Sequence, residues 1–300
     1  MGRLGGSVRR AALRRASAAV EASEALAGPR WLRATVLLGV AFYGALTLGA
    51  TVLYSIATVW RRKPLPDGYT LAWWTSTLTD PAFLSAVGRS VTIALLTVVA
   101  VNLLVLPPLY WSHIANRRIR PLLEACALIP FVLPGVVMAA GINRFVGLWS
   151  VTAQLQATPT LLLVAIVATS FPVYLWAVDG SLRSANVVAL WEAATTHGAG
   201  PWRTLRRVVV PSIRNGLAAG SLLVFASAMG ELALARLITG SAFETLPLWQ
   251  LRQLRGTDAN PNGMAVSSLL SLAMLFAFSF AIVLGNRGRV AQIAPTGTKG

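Results

Sequence analysis

Apolar positions are not scattered along this chain but gathered into long unbroken runs separated by short polar stretches. Six runs stand out: Ala34 to Val59, Ser90 to Trp111, Leu122 to Ile142, Leu161 to Val178, Leu217 to Leu237 and Ala265 to Leu284. Each approaches the roughly 20 apolar residues that a helix needs to cross a bilayer, where every backbone N–H and C=O must be bonded internally. The pattern predicts an all-α, polytopic membrane protein with six transmembrane helices. Pro130 and Pro134 predict kinks in the third run, and Phe171-Pro172 one in the fourth. Asn102 and Asn143 are placed to hydrogen-bond between helices.

The polar stretches supply orientation. Arg3, Arg9, Arg10, Arg14, Arg15, Arg30 and Arg33 precede the first run, and Arg117, Arg118 and Arg120 follow the second. Arg183, Arg203, Arg206, Arg207 and Arg214 follow the fourth, and Arg287, Arg289 and Lys299 the sixth. Basic residues of short loops stay on the cytoplasmic side, which places both termini and these two loops there. Arg61, Arg62 and Lys63 fall outside in this scheme and violate it. The expected divisions are an Arg-rich tail over 1–30, a transmembrane domain over 31–286 with a cytoplasmic insert over 180–216, and a tail over 287–300. A retained first span is expected rather than a cleaved leader, since the run exceeds a signal core and no small-residue cleavage site follows it.

Composition agrees: 55% of the residues are apolar and 12% charged, about half the charged share of a soluble domain. The net charge of +16 is accounted for by residues flanking the spans, so nucleic-acid binding is not expected. Cys126 is the only cysteine, which excludes an intrachain disulfide. His113 and His197 stand apart without a second ligand type, as ordinary polar loop residues, and no metal site is expected.

Between the first two spans, Leu71, Trp74 and Leu78 recur at helical spacing, with Trp73 suited to a headgroup boundary. A helix along the membrane surface and a plain aromatic anchor for the second span both fit. Glu231 is the one charge deep inside a run, about 14 residues or ~21 Å along it, in the outer half of the bilayer. It could line a solute path, pair with Arg236 or reach external water.

The insert after the fourth run reads EAATTHGAGPWRTLRRVVVP from Glu192. Helix formers run to Gly198, a residue suited to the left-handed turn that closes a helix. Pro201 starts a second helix, in which Trp202, Leu205, Val208 and Val209 share one face and Arg203, Arg206 and Arg207 another, until Pro211 stops it. Ala193 and Ala194 allow close approach of another surface, with Glu192 as an anionic anchor. From these residues alone, a docking element and a membrane-hugging connector are both open.

Glu192-Ala193-Ala194, three residues, Gly198, nine residues, then Val208-x-Val210-Pro211 resembles the EAA loop of permease subunits of binding-protein-dependent ABC importers. Val208 and Val210 stand where isoleucine and leucine are commoner, and His197 where aspartate or leucine is frequent. FPVYLWAVDGSLRS before the loop and LLVFASAMGELALARLITG after it are similar to permeases for polyamines, ferric iron, thiamine, sulfate and aminoalkylphosphonates. The resemblance implies a methionine-importer-type (MetI-like) fold in a bacterial inner membrane. It also implies a coupling loop, Glu192, Ala193, Ala194, Gly198 and Pro211, seated on a separate ATPase subunit that uses ATP and Mg²⁺. A second permease subunit, identical or different, and an external substrate-binding protein complete the implied complex.

No Walker A motif is present, because Lys63 precedes proline and Lys299 precedes glycine. Nor does any nucleophile, base and orienter set occur, so a non-catalytic subunit is expected, with no cofactor of its own. An ion-coupled secondary transporter is the rival, with Glu231 as its support. Polyamine or another small charged solute is the expected cargo.

Overall fold

The computed structural model describes residues 30–60, 64–116, 118–255 and 259–290, with the side chains of 30, 31, 33 and 286–290 left aside. The two terminal tails, Arg61 to Lys63, Arg117 and the side chains of Arg287 and Arg289 therefore lie outside the described residues. The elements in chain order are α1 (Arg30–Ile56), α2 (Ala72–Thr79), α3 (Pro81–Ile114), α4 (Ile119–Val132), α5 (Gly135–Val146), α6 (Ser150–Ala153) and α7 (Pro159–Ser184). They continue as α8 (Val187–Thr196), α9 (Pro201–Ser212), α10 (Arg214–Met229), α11 (Ala233–Ile238), α12 (Leu246–Gln253) and α13 (Pro261–Val290). Among the described residues no strand forms; one isolated bridge pairs Ala57 with Tyr69.

The chain divides into two units after Tyr54. The first is α1, which carries apolar side chains around its whole circumference, as a helix solvated by lipid does. Its hydroxyls return to its own backbone, Thr47 to the Tyr43 carbonyl at 2.9 Å and Thr51 to that of Thr47 at 3.0 Å. It ends at Ile56, three residues short of the predicted Val59, where the chain turns into the Ala57–Tyr69 bridge.

In the second unit α3, α7 and α10 pack against one another and form the core. Two of them, α3 and α7, begin at a physical start signal that a hydropathy window does not register. Asp80 Oδ1 accepts from the Ala82 N–H at 2.8 Å with Pro81 at the first helical position, so α3 begins nine residues before the predicted Ser90. At 34 residues it is ~51 Å long, well beyond the hydrocarbon thickness. Thr158 caps α7 in the same way, accepting from the Leu161 N–H. Where α10 crosses α7, small residues set the distance: a Cβ on Gly220 would meet Val178 at 3.2 Å, and one on Gly216 would collide with Ser181. Asn102 joins the three helices, donating to Ser221 Oγ at 3.0 Å and accepting from Tyr174 Oη at 2.7 Å.

Two predicted spans are not single helices. The third is divided into α4 and α5, which meet at 106°. Pro130 is absorbed inside α4, whereas Pro134 stands at the break, so the expected kink is a sharp turn. The fifth ends at Met229; Gly230 to Leu232 are non-helical and α11 starts afresh. Asn143 Nδ2 donates to the Leu237 carbonyl at 2.7 Å and ties α5 to α11. Four helices are long and apolar enough to cross a membrane, and six spans result if each of two bent pairs counts as one. The second bent pair is α9 with α10, at 81°.

α2 packs against α13. Trp73 Nε1 donates to the Ala57 carbonyl at 2.9 Å, and so does Asn262 Nδ2, so the Trp73 indole is committed within the protein rather than to headgroups. α12, a half-polar segment not anticipated as a helix, buries Trp249 edge-on against Phe83, with the indole N–H reaching Asp80 Oδ2 at 3.3 Å.

Candidate coupling site

The insert folds as two short helices at the far end of α3 from α12. Ser90, early in α3, accepts the Leu246 N–H at 2.7 Å, whereas Tyr110, near its other end, donates to the Pro201 carbonyl at 3.4 Å.

α8 starts five residues before the predicted Glu192, following Asn186 in a left-handed conformation (φ 47°). Val187, buried beside Leu182, anchors the start and explains the longer helix. Glu192 and Ala193 are exposed and Ala194 is half-buried, so the three project from the body of the unit. At the C-terminus the Ala199 N–H bonds the Ala194 carbonyl at 3.1 Å and the Gly198 N–H that of Thr195 at 2.9 Å. With Gly198 at φ +72°, this is the glycine-closed helix end expected. His197 reinforces it: Nδ1 lies 2.9 Å from the Ala193 carbonyl, which can only accept, so the ring proton sits on Nδ1.

α9 begins at Pro201 as expected and is fastened along its length. Thr204, Leu205 and Val209 are buried while Arg203, Arg206 and Arg207 are exposed. Trp202 does not join the buried face; it is 61% exposed and lines an apolar cleft with Pro107, Pro108 and Trp111. Leu205 to Val209 form a π-type turn, with the Val210 N–H bonded to the Leu205 carbonyl. Pro211, which has no N–H and crowds the preceding turn, sits just after it. The proline therefore loosens the helix without stopping it. α9 runs on to Ser212, and the chain bends at Ile213 into α10.

A cluster beneath the insert was invisible in the sequence. Asp179, 8% exposed, lies in the last turns of α7. His113 Nε2 is 2.7 Å from its Oδ1 and Arg120 Nη2 2.9 Å from its Oδ2, and Arg183 also reaches Oδ2. His113, expected as a surface residue, has a side chain only 10% exposed.

Glu231 is not inside a helix. It occupies the break after α10, half-buried, and its Oε1 accepts the Leu234 N–H at 3.0 Å, capping α11. Among the described residues no ion pair joins it to Arg236. Its neighbours Gly230 and Leu232 line a cavity of about 370 Å³ with Gln250, Ser268 and Ser271.

Known proteins resemble the chain over most of its length. The sulfate transport system permease protein CysT of Escherichia coli is 30% identical over 57% of this chain, and the match spans 65% of that protein. The molybdenum permease ModB of Mycobacterium bovis is 30% identical over 90% of this chain and 96% of its own. The E. coli spermidine/putrescine permease PotC is 25% identical over 70% of this chain and 79% of its own. The fold superposes on the MetNI methionine ABC transporter with a TM-score of 0.56 at 17% identity, covering 68% of this chain and 94% of that one. On a bacterial ABC transporter that imports alginate the TM-score is 0.65 at 13% identity, covering 88% and 96%. Residues 109–289 match the family described as binding-protein-dependent transport system inner membrane component, and the chain belongs to that family as a multi-pass membrane permease of the ABC importer class.

Proposed function

We propose that α8 and α9 are the coupling element of this permease and that Glu192, Ala193, Ala194 and Gly198 seat on a separate ATPase subunit. The observation that carries this reading is the form of α8: anchored at one end by Val187, closed at the other by Gly198, and presenting Glu192 and Ala193 outward. Small side chains beside one carboxylate suit a cleft that grips a helix backbone closely. Pro211 contributes indirectly, through the π-type turn that sets the bend into α10.

ATP and Mg²⁺ are used by the partner, since no P-loop is present here. The insert and the termini face the cytoplasm, a second permease subunit completes the path, and an extracytoplasmic binding protein delivers the solute. Arg118, Arg120, Arg183, Arg203, Arg206, Arg207 and Arg214 lie on the insert side, which supports that orientation. The translocation path passes the break at Gly230 to Leu232, which Glu231 holds open as the cap of α11. Nearby, Arg236, Arg252 and Arg255 face Glu244 alone around a second cavity, a balance that favours an anion over a polyamine. The ion-coupled alternative has no counterpart among the relatives and structures named above.

The test is E192A/G198A in proteoliposomes with the ATPase subunits and binding protein co-expressed. ATP hydrolysis without uptake of the solute retained by the binding protein is expected, with insertion unchanged. Normal ATP-driven uptake would sink the reading, and uptake that persists without the ATPase but collapses with ionophore would replace it.

A further inference from the structure

We infer that Asp179 is a positioning residue for coupling: its carboxylate locks the ends of α3, α4 and α7 into one platform beneath α8, so that these ends move together with the insert. This rests on the coupling reading above.

The partners of Asp179 come from three helix ends. His113 belongs to the last turn of α3, Arg120 to the first turn of α4, and Arg183 to the turn of α7 that follows Asp179 itself. Arg120 is held a second time, its Nε donating to Glu124 Oε1 at 2.9 Å. A carboxylate this buried is retained only when its lone pairs are satisfied, and here both oxygens are engaged. Against the carboxylate the Nε2 of His113 is the donor.

Position makes the cluster more than a brace. α7 ends five residues after Asp179, and α8 begins three residues beyond that end. The apolar cluster that seats the insert, Leu182, Val187, Leu205 and Val209 against Leu109 and Tyr110, uses the same ends of α3 and α7. Apolar contact is non-directional and lets helices slide and rotate, whereas charge-assisted hydrogen bonds fix direction as well as distance. α4 gains most from this, because beyond Val132 the chain turns by 106° and gives no straight continuation to hold it. Without the carboxylate, two arginines and a histidine would be left facing one another and α4 would be free to shift against α7.

The full chain carrying C126S, with spin labels at L122C on α4 and A189C on α8, is to be placed in nanodiscs and measured by pulsed electron paramagnetic resonance. A single narrow distance peak is expected for the otherwise unaltered chain, and loss of that peak to a broad or split distribution in D179N and R120Q. The conservative D179E should restore a single peak, which a general loss of folding would not do. Should D179N fail to insert, R120Q decides, since Arg120 is partly exposed and its loss leaves Asp179 with His113 and Arg183. An unchanged narrow peak in R120Q, and in D179N where it inserts, would overturn the proposal. The measurement needs no ATPase, so its outcome is separate from that of E192A/G198A, which tests the coupling reading itself.

Discussion

The two helices of the insert are attached in opposite ways. α9 is fastened through its middle, where Leu205 and Val209 enter the core and a tyrosine from α3 holds its first carbonyl. α8 is fastened through its first turn, by Val187 with Val188 beside it, and closed by its own backbone at Gly198 and by the His197 ring. One is part of the wall; the other is a projection whose shape is set locally. A surface meant to be gripped needs a fixed outline without being buried, and α8 has that combination.

The contrast is broken most severely at Val209. V209D places an unpaired carboxylate in the core and should cost about 3–5 kcal/mol, seen as loss of folded, inserted protein in a thermal melt. A193D on α8 should leave the melt unchanged; equal damage from both would erase the distinction. Next, L205A should cost about 2–5 kcal/mol through the cavity it leaves, whereas W202A, with its side chain outside, should stay within ~0.5 kcal/mol. G198A meets no atom within 4 Å of the new Cβ, so its cost is conformational alone, about 1–2 kcal/mol for the left-handed residue. Its melt should shift modestly while uptake falls steeply. Smaller again is the loss in H197A, which removes one bond to the Ala193 carbonyl and should cost ~1 kcal/mol.

The apolar runs were legible because a bilayer demands them, and the spacing from Glu192 to Pro211 because a glycine turn and a proline start leave fixed marks. Boundaries were less so. α3 starts at Pro81 because Asp80 caps it, a local signal outside the apolar window. The third span broke at Pro134, where the proline marked a weak point but the degree of bending depends on what α5 packs against, whereas the break of the fifth at Gly230 was not anticipated. α12 escaped because LPLWQLRQ mixes polar and apolar positions, and its burial follows from Trp249 finding Phe83. Trp202 misled because it stands at the edge of the apolar face: the buried residues of α9 are Thr204, Leu205 and Val209, and a threonine holds the inward position that the apolar pattern assigned to the tryptophan. The role of Asp179 could not be found from one sequence: Arg183 is four residues along the same helix, but the other two partners lie 66 and 59 residues away, and only the fold brings them to one carboxylate.

The most direct test of the docking role places a photo-cross-linking amino acid at Ala193 on α8, with a control at Leu95 in the middle of α3, in membranes co-expressing the ATPase subunit. An adduct between the permease and the ATPase subunit from position 193 and none from position 95 is the result predicted. No adduct from position 193 in complexes that still co-purify with the ATPase would contradict the assignment of α8 as the coupling helix.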